Sequence, residues 1–382
     1  MPSQDLTILL PLKGRDDFSL RWFRYAASQS LPYKVLVADG GHDEGLEDTL
    51  RRDGIFDRID CKYVRYPFDS SIEIFLRKMA DALHRVETPF VVIANNDDFI
   101  FFEALATSVA FLKENPDFAS SRGEIWDFAV ADGSGSSTYG RMTGVRKLYF
   151  HPSVAGDSAL ERVGDMAVKF HSAGHDIVRT PILADIYARI AETGLNDFRF
   201  ADRCWSFMIA SVGKMHRSDN LYMLHQSHSD MSAVTHFGRP SLWIAGPDWD
   251  RDLDLFTTCL ASLISEIDGV EFYKAKNDVW RMAVRHFLDL VVNDLKREPH
   301  KPAPRLRQAL LKSAKWLARR HSLLETSARK LRAIRRSRAA QAPLPPSHAD
   351  RFAGIQQFLQ KPRAAGGASA GPSNPASAAL RE

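Results

Sequence analysis

Residues 90–99 read FVVIANNDDF, an apolar run that stops abruptly at two adjacent carboxylates, Asp97 and Asp98. A short apolar run bounded by polar residues is typical of a strand that is buried on both faces of a parallel sheet. Unpaired carboxylates are poor core material, because burying a charge without a partner is expensive. The string therefore predicts a buried strand at 90–95 that ends at a polar edge of the sheet.

The residues before this string alternate between strand and helix patterns. The predicted elements are strands at 6–12, 34–39 and 61–66 and helices at 20–29, 44–52 and 70–86. Such alternation indicates an α/β fold with a mixed, mostly parallel sheet and flanking helices. In such sheets ligands bind outside the carboxyl ends of the strands. We therefore expect the polar strings that follow the strands to lie on one edge.

Asp97 and Asp98 are the candidate metal ligands of this edge. Mg²⁺ or Mn²⁺ is commonly held by one or two carboxylates together with phosphate oxygens. A cation at this place would neutralise a leaving diphosphate. The alternative is a polar turn that caps the following helix.

Further candidate residues lie at or near the other strand ends. Asp39 ends the second strand, before two glycines, and can accept a hydrogen bond from a base or a ribose; an ordinary strand-end turn is the alternative. Pro11 and Leu12 end the first strand. Arg15 follows them within reach of a phosphate, or it is a surface arginine. Lys78, on the helix before FVVIAN, either pairs with a diphosphate or lies on a solvated helix face.

The order ILLPLKGR, KVLVADGG, a lysine-bearing helix and VVIANNDDF resembles the inverting family-2-like glycosyltransferases of the GT-A fold. The resemblance covers about residues 5–235 and is closest in the first hundred. It implies a Rossmann-like sheet, a nucleotide-sugar donor and a metal-bound diphosphate leaving group. The element that holds the metal in the family falls on 95–97, where Asn95 replaces the usual first aspartate.

The resemblance also gives roles to single residues. Asp39 corresponds to the residue that reads the base, and the end of the first strand to the nucleotide cradle. The residues expected at the nucleotide are Pro11, Leu12, Arg15, Asp39, Lys78 and Asn96. The residues expected at the metal are Asp97, Asp98 and His225. For His225, which follows a predicted strand at 220–224, an ordinary packed histidine is the alternative.

An inverting transfer needs a general base that deprotonates the acceptor hydroxyl. The resemblance places an acid at the start of a helix beyond the second half of the sheet, where NDFRFADRCW at 196–205 fits. Asp202 is the first candidate, on the expectation that it opens a helix at 202–211, and Asp197 is the second. Aspartate is also a favoured N-cap residue, which is the alternative role of Asp202.

Two later groups are candidates for the acceptor side. By the resemblance alone, His171, His175, Arg179 and Thr180 would line it. The string LWIAGPDW at 242–249 either stacks on a sugar or packs the C-terminal helices onto the main domain, and packing is the more common use of such a string.

The 382 residues divide by composition into four parts. These are a glycosyltransferase-like domain at 1–235, a helical extension at 236–298, a basic amphipathic helix region at 304–338 and a low-complexity, disordered tail at 339–382. The basic region holds 12 Lys and Arg and one acid, so subtracting its +11 from the net +4 leaves −7 elsewhere. A mildly acidic body with one basic arm favours an anionic membrane surface over nucleic acid as a partner. The alternative is a solvated helix that packs on another protein.

Three well-separated cysteines and the lack of an apolar run of about 18 residues argue against a disulfide framework and a spanning helix. We therefore expect a cytoplasmic protein whose basic region can lie on the inner face of the cell membrane. The predicted activity is transfer of a sugar, with inversion, onto a polysaccharide, lipid-linked or other glycan acceptor. Two alternatives stay open: a catalytically inactive binding or scaffold protein with the same fold, which Asn95 favours, and a nucleotidyltransferase, which would want a more basic first loop.

Overall fold

The structure is a computed structural model that describes residues 5–43, 45–131, 138–148, 151–229, 231, 239–297 and 346–360. Its strands are β1 (Leu6–Leu12), β2 (Lys34–Asp39), β3 (Cys61–Arg65), β4 (Phe90–Ile93), β5 (Phe99–Ile100), β6 (Phe118–Ala131), β7 (Arg141–Lys147), β8 (Ile177–Arg179) and β9 (Lys214–Gln226). Its helices are α1 (Asp16–Ser28), α2 (Gly45–Arg52), α3 (Ile72–His84), α4 (Phe102–Glu114), α5 (Ala159–Val168), α6 (Thr180–Glu192), α7 (Phe198–Val212), α8 (Pro240–Ile244), α9 (Trp249–Asp268), α10 (Phe272–Arg297) and α11 (Pro346–Gln360). The predicted basic helix region at 304–338 lies outside the described residues.

The first four strands form a parallel half-sheet. β1 pairs with β2 and with β4, and β2 pairs with β3, all in parallel. β1 is buried at nearly every position, as expected for a strand covered on both faces. Over the described residues the order is β3-β2-β1-β4-β8-β6-β9-β5, with β7 added beside β6. The predicted fold class, a mixed α/β sheet with flanking helices, is confirmed.

The second half of the sheet contains both strand directions. β8 is antiparallel to its two neighbours, β4 and β6, and β9 is parallel to β6. Strands β6 and β9 therefore run in the same direction as β1 and β4. The carboxyl ends of β1, β2, β4, β6 and β9 consequently share one edge of the sheet, and the polar loops that follow them meet there.

Each face of the sheet carries a hydrophobic core, because successive residues of a strand point to opposite faces. Leu9 of β1 packs in a core with residues of α3, α6 and α7. Ile8 and Leu10, its neighbours on β1, pack in the other core with residues of α1 and α4. The two cores hold the strand ends, and with them the polar loops, in fixed positions.

Helices α9 and α10 extend the first of these cores. Phe256 of α9 and Phe287 of α10 surround Phe200 of α7, with ring centroids 5.9 and 5.3 Å from it. Trp243 of α8 lies 4.8 Å from Phe200 and 5.3 Å from Phe287. The tryptophan string therefore packs the helical extension onto the main domain. Within the described ranges, no helix is both long enough and apolar enough to cross a membrane.

Helix α11 packs on the second core, which contains β1 and α1. Its residues Phe352, Ile355 and Leu359 are buried and recur at helical spacing. The expectation of disorder throughout 339–382 is therefore wrong for 346–360. Composition suggested a disordered tail, but three apolar residues on one helix face are enough to pack against an existing apolar surface.

Candidate functional site

Asp97 lies in the turn between β4 and β5, at the carboxyl edge of the sheet, and its side chain is 5% exposed. Its Oδ2 atom accepts a hydrogen bond from Nη1 of Arg15 at 2.6 Å and lies 2.9 Å from Nε2 of His228. Its Oδ1 atom is buried and has no hydrogen-bond partner in the described part of the chain. A buried carboxylate oxygen without a donor is costly, so Oδ1 is the atom of this turn that most needs a cation.

Opposing effects set the pKa of Asp97. Burial raises the pKa, but the hydrogen bond from His228 and the charges of Arg15 and His225 together lower it more, and the net shift is downward. The carboxylate is therefore ionised at every physiological pH. That is the state in which a carboxylate binds a metal ion.

Asp98 is buried and joins the turn to the end of β9. Its Oδ1 atom accepts from the backbone N–H of Gln226 at 3.0 Å and lies 3.0 Å from Nδ1 of His225. Its Oδ2 atom accepts from the side-chain amide of Asn95 at 3.3 Å. Burial lowers the pKa of His225, but the charge of Asp98 raises that pKa more, to about 9. Asp98 thus has both oxygens engaged and holds a positively charged His225 at the rim of the site.

A buried arginine supports the turn from the side of α1. Arg21 is 1% exposed, and its Nη2 atom donates to the carbonyl oxygen of Asp97 at 2.6 Å. Its Nη1 atom donates to Oε1 of Gln226 at 2.6 Å. Asn96, also buried, donates to Oγ of Ser19 at 2.9 Å. These bonds fix the backbone of the turn, so that the direction of the Asp97 carboxylate is set by the fold.

The loop after β1 has an unusual backbone. Gly14 and Arg15 both have positive φ angles, 76° and 59°. The left-handed conformation is common for glycine but costs a residue such as arginine about 1 kcal/mol or more, and such strain is concentrated at functional sites. This backbone conformation places the guanidinium of Arg15 against the carboxylate of Asp97. Of the residues before this loop, Pro11 is half-buried and Leu12 is buried, so Leu12 can offer a ligand only its backbone.

Asp39 is buried at the end of β2 and already accepts three hydrogen bonds. Its Oδ1 atom accepts from the N–H of Gly41 at 2.8 Å. Its Oδ2 atom accepts from the hydroxyl of Tyr63 at 2.5 Å and from Nη1 of Arg65 at 2.5 Å. Because each carboxylate oxygen can accept two hydrogen bonds, Oδ1 retains capacity for one ligand donor.

Lys78 is buried, and its side chain contacts the end of β1 and the loop that follows β3. Its ammonium group pairs with Asp69 and donates to the carbonyl oxygen of Leu12 at 3.1 Å. Burial lowers the pKa of Lys78, against the opposite effect of Asp69. Gly40 packs against this pair, since a Cβ atom there would lie 2.5 Å from the Asp69 carboxylate. Lys78 therefore ties the ends of β1 and β2 together, and its predicted contact with a diphosphate stays a prediction.

An aromatic ring completes this part of the edge. The ring of Phe68 is stacked with that of His42, with centroids 3.5 Å apart, and Nζ of Lys13 lies 5.2 Å from its centroid. The loops after β1, β2 and β3 thus bring together a carboxylate, an aromatic pair and a cation. Such a set suits the hydrogen-bonding edge and the flat face of a nucleobase beside its phosphates.

Helix α7 begins at Phe198, with Asp197 as its N-cap, so the prediction that Asp202 opens the helix is wrong. Oδ1 of Asp197 accepts from the backbone N–H groups of Arg199 and Phe200 at 2.8 and 3.0 Å. The helix begins earlier than the sequence pattern suggests, because the side chain of Asp197 itself accepts the hydrogen bonds of the first-turn amides. Asp197 therefore has a structural task, and Asp202 lies one turn further on.

Asp202 is buried and accepts a hydrogen bond from Oγ of Ser172 at 2.5 Å. Burial raises the pKa of Asp202, and the lowering by Arg203 and by Ser172 does not cancel this effect. A raised pKa is a property that carboxylates acting as general bases share. Burial and the direction of the pKa shift distinguish Asp202 from Asp197, the N-cap of α7, and the role of either as a base stays a prediction.

The four residues expected on the acceptor side do not lie together. Arg179 pairs with Phe90 at the beginning of β4, the end of that strand opposite to Asp97, and Thr180 follows it. The expectation that Arg179 and Thr180 line the acceptor side is therefore wrong, because β8 runs antiparallel to β4 and brings them to the far edge. His175 lies on the near side, its ring 6.4 Å from that of His225.

Three residues of the site carry no clear signal in the sequence. Arg21 appears as one of several charged residues of α1, and only its burial reveals its bonds to the turn. Asp69 directly follows the YPF string but gives no sign of its partner Lys78. His228 stands three residues after His225, and this spacing could have suggested that both rings reach the same turn.

No cluster of three or more His, Cys, Asp and Glu side chains arranged for metal binding occurs among the described residues. A metal held by one carboxylate together with ligand phosphates does not require such a cluster. The fit of Mn²⁺ or Mg²⁺ therefore depends on Asp97. Its carboxylate is buried and ionised, and its Oδ1 atom has no donor among the residues that the structure describes.

Comparison with solved structures finds a likeness to S. aureus TarS. For the longer TarS chain the identity is 16% and the TM-score 0.44, over 74% of this chain and 43% of that chain, so this chain spans less than half of the longer TarS. For TarS 1–349 in complex with UDP the values are 18% and 0.48, and in complex with UDP-GlcNAc 16% and 0.47, each over 74% of this chain and 72% of that chain. No model of a protein family and no curated protein sequence matches the chain.

Proposed function

We propose that this chain is a nucleotide-sugar-dependent glycosyltransferase that transfers with inversion. The observation that carries the proposal is the Asp97 turn, at the edge shared by β1, β2 and β4. There a buried, ionised carboxylate keeps one oxygen that no group of the described residues donates to. An ion or a ligand that completes this atom would lie at the place where ligands of such sheets bind. The sequence resemblance to inverting glycosyltransferases supports the same reading.

In this proposal the loops after β1, β2 and β3 bind the nucleotide. Asp39 accepts from the base through its remaining capacity at Oδ1, and the Phe68–His42 pair offers a flat apolar face. Lys13 and Arg15 provide the positive charge that a diphosphate needs. The buried ion pair of Lys78 and Asp69 holds these loops in place.

A divalent cation, Mn²⁺ or Mg²⁺, would be held by Asp97 together with the diphosphate. When bound it supplies neutralisation of the charge that develops on the leaving diphosphate. Asp98 and His225 act on this site indirectly, because both oxygens of Asp98 are engaged and its charge keeps His225 protonated.

The acceptor hydroxyl is deprotonated by Asp202. Inversion requires one base, on the side of the sugar opposite to the diphosphate, and general-base catalysis typically contributes about 10²- to 10⁴-fold. The buried position of Asp202 and its hydrogen bond from Ser172 hold the carboxylate in one orientation. We propose that the acceptor is a polysaccharide, a lipid-linked glycan or another glycan.

We also propose where in the cell the chain acts. The basic region at 304–338 would attach a cytoplasmic protein to the anionic inner face of the membrane. Sedimentation with vesicles of phosphatidylserine and phosphatidylcholine tests this. The intact chain should sediment and a chain truncated after residue 303 should not, whereas equal sedimentation of both would contradict the role of the arm.

One specific observation supports a second candidate, a protein that binds without turnover. Asn95 stands where the glycosyltransferases have an acid, and Oδ2 of Asp97 and both oxygens of Asp98 already have donors within the protein. Such a protein would bind a nucleotide with no metal requirement and release no product.

The experiment that separates these readings is thermal stabilisation by a panel of nucleoside diphosphates and nucleotide sugars, with Mn²⁺, with Mg²⁺ and with EDTA. A ligand at 100 times its Kd stabilises the fold by about 2.7 kcal/mol, which is easily measured. We expect a metal-dependent shift for one base, lost in Asp97→Ala and kept in Asp53→Ala, whose carboxylate forms a surface pair with Arg24. A shift that is unchanged by EDTA favours the protein that binds without turnover. If no nucleotide produces a shift, both candidates are contradicted.

A further inference from the structure

A polar cleft lies along β6 and β9, outside the Asp97 turn. It is a small cleft of about 30 Å³, partly open to solvent, and its lining includes Arg122, Glu124, Lys147, His151, Arg217 and Ser218. The pairing of β6 with β9 shifts its register between Arg122 and Glu124. A Cβ atom at the intervening Gly123 would lie 2.3 Å from the carbonyl oxygen of Asn220. The close approach of the two strands therefore shapes the cleft and depends on this glycine.

The cleft holds more buried positive than negative charge. The side chains of Arg122 and Arg217 are each 6% exposed, and they share one carboxylate, Asp176, at 3.4 and 2.9 Å. The other two charged groups of the cleft, Lys147 and Glu124, pair with each other. Two arginines against one carboxylate leave one positive charge in excess within this group of three described residues. A buried charge without a counter-charge is unfavourable, and an anion in the cleft would remove that cost.

The hydrogen-bonding groups of the two arginines point to the same conclusion. The Nε atoms of Arg122 and Arg217 are both buried and have no hydrogen-bond partner in the described part of the chain. Arginine presents donors in a fork that matches the oxygens of a phosphate or a carboxylate. Burial, together with the charges of the two arginines, lowers the pKa of His151 to about 3 and also lowers that of His171. Both rings are therefore neutral near pH 7, and the positive charge of the cleft belongs to the arginines.

One residue joins the cleft to the candidate general base. The carbonyl oxygen of Ser172 accepts from Nη1 of Arg122 at 3.0 Å, and the hydroxyl of Ser172 donates to Asp202 at 2.5 Å. The wall of the cleft and the carboxylate of Asp202 are therefore adjacent. A molecule with an anionic group in the cleft would carry its neighbouring hydroxyl groups toward Asp202.

We propose that this cleft binds an anionic group, a phosphate ester or a carboxylate, on the acceptor of the transfer. The location of a binding site follows from Arg122, Arg217 and the cleft itself, while its assignment to the acceptor rests on the proposed function. The acceptor then carries a phosphate ester or a carboxylate, which the cleft holds by its charge near Asp202.

The test is calorimetric titration of the full chain with inorganic phosphate, glycerol 3-phosphate and glucuronate, at constant ionic strength set with chloride. We compare the wild type with Ser218→Glu, which places a carboxylate in the cleft, and with Ser28→Glu, the same substitution at an exposed end of α1. The wild type and Ser28→Glu should bind one of these anions equally, and Ser218→Glu should bind it at least tenfold more weakly. In chloride alone, the Tm of Ser218→Glu should equal or exceed that of the wild type, because the new carboxylate supplies the missing charge.

The outcomes are decisive for the cleft. Absence of binding to the wild type, or equal binding to Ser218→Glu, would overturn the proposal; if that variant does not fold, Lys147→Gln replaces it and should bind several-fold more weakly. Preference for glycerol 3-phosphate over glucuronate identifies a phosphate ester, and the reverse a carboxylate. The nucleotide shift should be the same in Ser218→Glu as in the wild type. Anion binding at the cleft without any nucleotide shift would leave the cleft standing and remove the glycosyltransferase reading.

Discussion

Nη1 of Arg15 lies 2.6 Å from Oδ2 of Asp97, although 82 residues separate the two in the chain. The side chain of Arg15 is 29% exposed and that of Asp97 only 5%, so the contact faces solvent on one side and the core on the other. Arg15 holds the carboxylate in place and at the same time adds a positive charge next to the proposed metal position. Its charge therefore opposes the binding of a metal ion and favours that of a diphosphate, and the two effects can be measured separately.

Replacing Arg15 by Met should strengthen the binding of Mn²⁺ alone and weaken that of the nucleoside diphosphate. Removal of the guanidinium lifts a repulsion between like charges at close range, while it takes one cation from the diphosphate. Titration with Mn²⁺ and then with the nucleotide, followed by calorimetry, measures both. The control is Arg24→Met, which removes an exposed pair with Asp53. Weaker binding of both ligands would show that Arg15 is needed only to keep the turn folded.

Asp202→Asn should lower the rate of sugar transfer by about 10²- to 10⁴-fold, the usual contribution of a general base. Asp197→Asn should leave the rate nearly unchanged, because asparagine is an equally good N-cap. Release of nucleoside diphosphate from the donor identified by the thermal panel provides the assay. A large loss in Asp197→Asn with a normal Asp202→Asn would reverse the assignment of the two acids.

The stability of Asp202→Asn should exceed that of the wild type, and by more at pH 8 than at pH 4. The pKa of Asp202 is raised above its ordinary value of 3.8 in the folded chain. A group with a raised pKa contributes its full stability below the unfolded-state pKa and loses it as pH rises through the folded-state pKa. Asparagine does not ionise and keeps the acceptor for Ser172, so the variant escapes this loss. Urea unfolding at several pH values measures the difference, and a constant difference would contradict the raised pKa.

Gly40→Ala should destabilise the chain by about 1–3 kcal/mol, the typical cost of inserting an atom into a packed site. The added Cβ atom would lie 2.5 Å from the Asp69 carboxylate and would disturb its pair with Lys78. Nucleotide binding should weaken in parallel, because this pair holds the ends of β1 and β2.

The matched control for that substitution is Gly164→Ala on α5, where a Cβ atom meets none of the described residues within 4 Å. Alanine is the better helix former, so this variant should gain about 0.5–1 kcal/mol. Thermal unfolding of both variants gives the comparison. A neutral Gly40→Ala would mean that Asp69 and Lys78 can move apart without consequence.

The sequence determined the local elements with some accuracy. Strands β1 and β2 have the predicted bounds, 6–12 and 34–39, because an apolar run closed by polar residues depends only on neighbours along the chain. The same reasoning placed Asp97 and Asp98 directly after a buried strand. It was less reliable at α7, where the helix starts at Phe198 and the cap is Asp197.

Only the tertiary structure decided which of these residues act together. Asp97 meets Arg15 and His228, and Lys78 meets Asp69 in the interior. Composition marks the segment after 339 as low in complexity, yet 346–360 packs on the second core. Local periodicity reports how a residue is buried but not what it is buried against. Partners far apart in sequence are fixed by the strand order and by the packing of two cores, which no local pattern contains.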